Sequence, residues 1–139
     1  MLRYIVNIKD RKKYVLNNEK LKDKCNIEKN QMKDNNRLIN HLEKAEFLNI
    51  VLDKSVCIFS GEYINHYQTI RTDGLWVWSS DLLHYTKNYN FQWPKDFVKH
   101  VNSNIGVTNN INEEHFTFLN KNFSYCALEK QNISLIQVE

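Results

Sequence analysis

Hydrophobic and polar positions alternate at the front of the chain. Leu2, Tyr4, Val6 and Ile8 are separated by Arg3, Ile5, Asn7 and Lys9, the period of two expected of a strand with one face in a core. Arg11 to Lys33 is charged, with thin apolar support from Tyr14, Val15, Leu16, Leu21 and Ile27, and reads equally as loop or short helix. The period then changes. From Arg37 to about Leu48, behind an Asn35-Asn36 cap, Leu38, Leu42 and Ala45, flanked by Ile39 and Phe47, recur at helical spacing. Ile50 to Leu52 and Ser55 to Phe59 read as strand material, broken by Asp53-Lys54 and closed by Ser60-Gly61.

The clearest local signals lie between Tyr67 and Val101, a stretch that holds all three tryptophans and the only proline. Asp73-Gly74 sits between two strand-like runs, and a two-residue type I′ turn there predicts a β-hairpin over about 67–78. In that register Thr72 faces Leu75, Arg71 faces Trp76, Ile70 faces Val77 and Thr69 faces Trp78. Ile70, Leu75 and Val77 then share one face while Arg71, Trp76 and Trp78 share the other, so both faces need cover. Ser79-Ser80-Asp81 supplies cap groups and negative charge for a helix over about 80–89, with Leu82, Tyr85 and Tyr89 on its stripe and an exit at Asn88 to Gln92. Pro94 suits the first turn of a second helix, about 94–101, which buries Phe97, Val98 and Val101 and turns Lys95, Lys99 and His100 more toward water.

Asn102 to Asn112 reads as a loop around Gly106, and Asn112-Glu113-Glu114 favours a helix over about 112–120, although Phe116-Thr117-Phe118 also suits a strand. Phe123 to Leu128 and Ile133 to Val138 read as strands joined by Glu129 to Asn132. Recurring hairpins without βαβ alternation predict an α+β fold, a single domain over 1–139, with a mainly antiparallel sheet packed by three to four helices.

Composition narrows the function classes. A chain of 139 residues is sized for one core, and its 42% hydrophobic and 25% charged residues are those of a folded protein. Three glycines and one proline leave no phosphate-cradling loop and no long flexible linker. The net charge of +3, concentrated in Lys9 to Lys13 and Lys20 to Lys24, falls short of a nucleic-acid footprint, so nucleic acid is not the expected partner. Cys25, Cys57 and Cys126 have no metal-ligand or disulfide spacing, and Cys57 reads as a small buried hydrophobe. No segment reaches membrane-spanning length and the start lacks a secretory pattern, so a cytoplasmic location and no membrane partner are expected. No cofactor, metal or small-molecule substrate is implied.

Candidate chemistry is sparse. Asp81 and His84 lie three apart on a predicted helix and could form an acid–base dyad, yet no third partner is visible for a triad or metal set. Glu62, His66 and Asp73 form a loose group around the hairpin, Asp73 is needed by the turn, and His100 and His115 are isolated. The aromatic group is the better lead, because Trp, Tyr and Arg dominate interface energetics. Glu62, Tyr63, His66, Tyr67, Arg71, Trp76, Trp78 and Trp93 are the partner-binding candidates, with a cross-strand cation–π pair expected between Arg71 and Trp76. The competing reading places Trp76 and Trp78 beneath the following helices as core.

The run Thr72-Asp73-Gly74-Leu75-Trp76-Val77-Trp78, followed by Asp81-Leu82-Leu83, Tyr85 and Pro94-Lys95-Asp96-Phe97-Val98-Lys99-His100, resembles a pattern in small stand-alone bacterial proteins. In those a proline commonly follows the second tryptophan, where this chain has Ser79. In size and make-up the chain also resembles the immunity proteins of contact-dependent and polymorphic toxin systems. That resemblance implies a non-enzymatic protein that binds and neutralises a cognate toxin domain in the cytoplasm. Many immunity proteins against basic nucleases are acidic, so the mild basicity of this chain implies a different toxin type or a local interface charge. The rival readings are a small hydrolase or nuclease using Asp81 and His84, and a nucleic-acid-binding regulator using Arg11 to Lys24.

Overall fold

The computed structural model describes residues 2–25, 35–50, 54–64, 68–103, 111–130 and 134–138. Its backbone is built on a sheet with strand order β3-β4-β5-β1-β2-β6, formed by β1 (Arg3–Asn7), β2 (Lys12–Leu16), β3 (Glu46–Ile50), β4 (Thr69–Thr72), β5 (Trp76–Ser79) and β6 (Ile136–Val138). Every neighbouring pair is antiparallel except β2 and β6. The fold is α+β, with helices α1 (Asn18–Lys24), α2 (Asn36–Glu43), α3 (Leu82–Tyr89), α4 (Lys95–Ser103), α5 (Glu113–Phe123) and α6 (Tyr125–Lys130) among the described residues.

β1 is buried on both sides rather than one, because it lies between β5 and β2 and both faces of the sheet are covered. On one face Ile5, Trp76 and Trp78 pack with Leu21 of α1, Leu42 of α2, Leu82 and Tyr85 of α3, and Phe97 and Val101 of α4. On the other, Tyr4, Val6, Leu48, Ile70 and Val77 meet Leu119 and Phe123 of α5 and Leu128 of α6. Two apolar layers thus sandwich one sheet.

The hairpin forms, but its register differs from the two-residue expectation: Thr72 pairs with Val77, Arg71 with Trp78 and Ile70 with Ser79. A slip of two residues keeps every side chain on its expected face, since the side-chain period of a strand is two. Ile70 and Val77 accordingly line one layer and Trp76 and Trp78 the other. The cause is Asp73, whose Oδ1 accepts the amides of Leu75 (2.9 Å) and Trp76 (2.7 Å), while only Gly74 takes a positive φ, +96°. A type I′ turn needs two such positions. Here the connection is longer and is held by a side chain.

Other differences have equally local causes. Asn17 Oδ1 accepts the Lys20 amide at 2.8 Å and starts α1 inside the stretch that sequence left open. The 36–48 helix stops at Glu43, and Glu46 to Ile50 pair with β4 across a bulge between Phe47 and Asn49. Ser55 to Phe59 form no strand. Val56 makes an isolated bridge to Tyr63, and Ile58 to Ser60 turn. Phe123 to Leu128 is not a strand either: Ser124 accepts the Ala127 amide on Oγ and the Leu128 amide on its carbonyl, which starts α6. Val98 is exposed on α4, and Leu75 is half-exposed at the turn. Helices α3, α4 and α5 match the expected positions, with α5 extending to Phe123 and capped by Asn112 Oδ1 on the His115 amide. The expected exit of α3 is Asn90, at φ +51°. The expectations for Ile27, for Leu52 and for the loop around Gly106 fall outside the described residues.

Candidate functional site

The turn that organises the hairpin is also where titratable side chains converge. Asp73, almost fully buried, receives His41 Nε2 from α2 and His100 Nε2 from α4 on the same oxygen, Oδ2, each at 2.7 Å. Burial alone would raise the Asp73 carboxyl pKa. Hydrogen bonds from His100, His41 and the Leu75 and Trp76 amides outweigh it and hold the carboxyl well below the usual carboxylate range. An ionised carboxylate only accepts, so both imidazoles present Nε2–H to it. The rings are held by aromatic neighbours. His41 lies edge-on to Phe97 (5.9 Å between centroids), His100 tilts over Trp76 (6.1 Å), and the two imidazoles meet edge-to-face at 5.6 Å. His115 closes the far side of the turn through Nε2 and the Gly74 carbonyl, 2.8 Å apart. The ligand atoms of His41, Asp73 and His100 lie within 4.8 Å of one another, the grouping among the described residues suited to a metal ion.

The sequence reads His100 as isolated and turned toward water, Asp73 as a turn residue in a loose group with Glu62 and His66, and gives His41 no role. His41, Asp73 and His100 are separated by 32 and 27 positions along the chain, a spacing with no motif. The available signal was helical phase: His100 follows Phe97 by three residues, and His41 adjoins Leu42 on the apolar side of α2.

The Asp81–His84 dyad does not form. Asp81 Oδ2 takes Arg3 Nε at 2.6 Å and Ser55 Oγ at 2.9 Å, and Oδ1 takes Gln68 Nε2 at 3.3 Å. All four of these groups are buried. They tie the first strand to the segments before β4 and α3, which is structural work. His84 instead contacts Asn88 through Nδ1 (3.3 Å) and turns its ring toward Tyr85 and Tyr89.

A second unusual environment surrounds Cys57. Burial raises its thiol pKa, but the Ser60 hydroxyl, the Ser60 and Phe59 amides and His84 lower it more, bringing it down to about 6. Tyr89 Oη lies 3.7 Å from Sγ. The small-hydrophobe reading accounts for its burial and misses this polar collar.

The aromatic candidates divide. Trp76, Trp78 and Trp93 are core, at 3, 1 and 6% exposure, so they offer a partner no surface. Phe97 gathers them, stacked on Trp93 at 4.5 Å and edge-on to Trp76 and Trp78, while Trp93 Nε1–H reaches Thr86 Oγ1 at 2.8 Å. Arg71 pairs opposite Trp78 rather than Trp76. Its guanidinium lies over Phe47, 5.8 Å from the ring centroid, so the expected cation–π pair has a different partner. Tyr63 is 68% exposed, with Lys54 Nζ 5.0 Å above its ring, and Glu62 beside it is exposed. His66 and Tyr67 lie outside the described residues. Among those residues no helix is long and apolar enough to cross a membrane.

Compared with protein-family models, with curated proteins and with solved structures, the chain matches none.

Proposed function

We propose that this chain is an immunity protein that binds a cognate bacterial toxin domain in the cytoplasm and blocks it by protein–protein contact, without chemistry of its own. The observation that carries the reading is the exposed apolar side chains on β3, one of the two edge strands of the sheet among the described residues, and on the chain that follows it. Phe47 on β3, and Val56 and Tyr63 on the chain that follows, are exposed at 41, 41 and 68%. Lys54 lies over the Tyr63 ring, the half-buried Arg71 lies over Phe47, and exposed Glu62 adjoins Tyr63, so charge of both signs accompanies these side chains. An apolar centre with a polar rim is the usual anatomy of a specific interface, and Tyr and Arg are its usual anchors. The buried tryptophans contribute indirectly by making the platform rigid, which lowers the entropy lost on binding.

The hydrolase reading loses its pair of residues, because Asp81 is committed to Arg3, Ser55 and Gln68. The test is co-expression with the product of the adjacent upstream reading frame, followed by purification and a growth assay. A stable 1:1 complex and restored growth are expected. Tyr63→Ala and Phe47→Ala should each weaken the complex about tenfold or more with the fold unchanged, consistent with loss of an interface anchor. A toxic partner that is not bound, or a complex indifferent to both substitutions, would overturn the proposal.

A further inference from the structure

We propose that His41, Asp73 and His100 form a binding site for one divalent transition-metal ion of the zinc type, held by the two imidazole Nε2 atoms and Asp73 Oδ2 with a fourth position left to water. The inference does not depend on the proposed function.

The donor set comes first. Two imidazole nitrogens and one carboxylate oxygen suit Zn2+ and its neighbours, whereas Mg2+ and Ca2+ require shells of oxygen. Separation comes next. Ligand bonds of about 2.0–2.2 Å at tetrahedral angles put donor atoms roughly 3.4 Å apart. Each Nε2 now lies 2.7 Å from Oδ2, so a metal requires each separation to widen by about 0.7 Å, taken up by the two imidazole side chains.

Rigidity and access also fit. Asp73 cannot swing away, because its other oxygen is fixed by the Leu75 and Trp76 amides. The imidazoles are held by Trp76, Trp78 and Phe97. Both histidine side chains retain 13% exposure, against 1% for Asp73, so solvent reaches the imidazoles. Coordination uses the Nε2 lone pair. The proton each Nε2 donates to Asp73 in the metal-free form therefore moves to Nδ1 of the same ring by way of solvent, and an imidazolium would release its extra proton to the buffer.

Such an ion would join α2, α4 and the hairpin turn at one point. Its binding energy would add to the stability of the fold, because an unfolded chain does not hold the three donors together.

The experiment is titration of the chelator-treated full chain with Zn2+, followed by calorimetry and thermal unfolding, with Co2+ as a spectroscopic substitute. One equivalent of Zn2+ should bind saturably and raise the melting temperature. Co2+ should give the visible bands of a four-coordinate nitrogen–oxygen site without thiolate charge transfer. His41→Gln and His100→Gln should each weaken binding at least about 100-fold, while His84→Gln and His115→Gln leave it unchanged. Absence of saturable Zn2+ binding by the wild-type chain would overturn the proposal. So would thiolate bands, which would place the ion on cysteine, or unchanged affinity in both ligand variants. The wild-type titration and Co2+ spectrum keep the test decisive even where a substitution disturbs folding.

Discussion

Arg3 and Asp81, 78 positions apart in the chain, meet in the interior with Nε 2.6 Å from Oδ2. Their side chains are 4 and 0% exposed, so removing either leaves the other's charge buried. Arg3→Met and Asp81→Leu should each lower stability by about 3–5 kcal/mol, while the double replacement should recover much of that loss, because a buried pair often contributes little net stability against apolar residues. Urea unfolding of the three variants reads this directly. Additive losses in the double variant would contradict it.

A second contrast separates core aromatics from surface ones. Trp78→Ala removes a fully buried ring packed against Trp93 and Phe97, and should cost about 3–5 kcal/mol. Tyr63→Ala removes an exposed ring and should change stability by no more than about 0.5 kcal/mol. Equal effects on the unfolding midpoint would show that the two rings had been assigned the wrong environments.

Why the tryptophans were offered to a partner is clear from the strands. Period two places Trp76 and Trp78 together on one face, and that much was legible. What lies over a face is a tertiary fact, decided here by Phe97 and Trp93 from a helix start some twenty residues downstream. The α+β class and helices α3 and α4 followed from apolar stripes, and α5 from its Asn112 cap. The cap groups expected for α3 are used elsewhere: Ser79 and Ser80 accept the Tyr4 and Thr69 amides, and Asp81 pairs with Arg3. The strand at Glu46 to Ile50 was not legible in this way, because Ala45 and Phe47 extend the apolar pattern of α2 and only pairing with β4 ends the helix. The His41–Asp73–His100 cluster was hidden for the same reason. Its members sit on three separate elements, and only the packing of α2 and α4 on the hairpin joins them.

Gly74 offers a direct probe of that turn. Its φ is +96°, and an added Cβ would lie 3.3 Å from Ile111 Cγ1. Gly74→Ala should therefore destabilise the chain by about 1–3 kcal/mol through backbone strain, with crowding against Ile111 added to it. A neutral result in chemical unfolding would mean the turn relaxes to another geometry.

Alkaline pH tests the buried phenols. Burial raises Tyr14 to about 12, helped by the Asp96 carboxylate, and burial likewise raises Tyr85 to about 12. In the unfolded chain a tyrosine ionises near 10, so between about 10 and 12 the native state holds protons that the unfolded state has lost. Their stabilising contribution is complete below pH 10 and disappears as pH rises through 12. Ultraviolet difference absorbance should show Tyr14 and Tyr85 among the phenols that ionise late, with Tyr4, Tyr89 and Tyr125 also raised, and stability falling over that window; Tyr14→Phe should remove one of them. Ionisation of every tyrosine near pH 10 with the fold intact would contradict this assignment.

In the proposed function Tyr63 and Phe47 bind a toxin partner while the tryptophans hold the platform. The most direct measurement is the affinity of the purified chain, and of its Tyr63→Ala and Phe47→Ala variants, for the adjacent gene product by calorimetry. A tight 1:1 complex that both variants weaken about tenfold or more at unchanged melting temperature is expected. A partner that inhibits growth yet shows no binding, or binding that neither substitution alters, would contradict it.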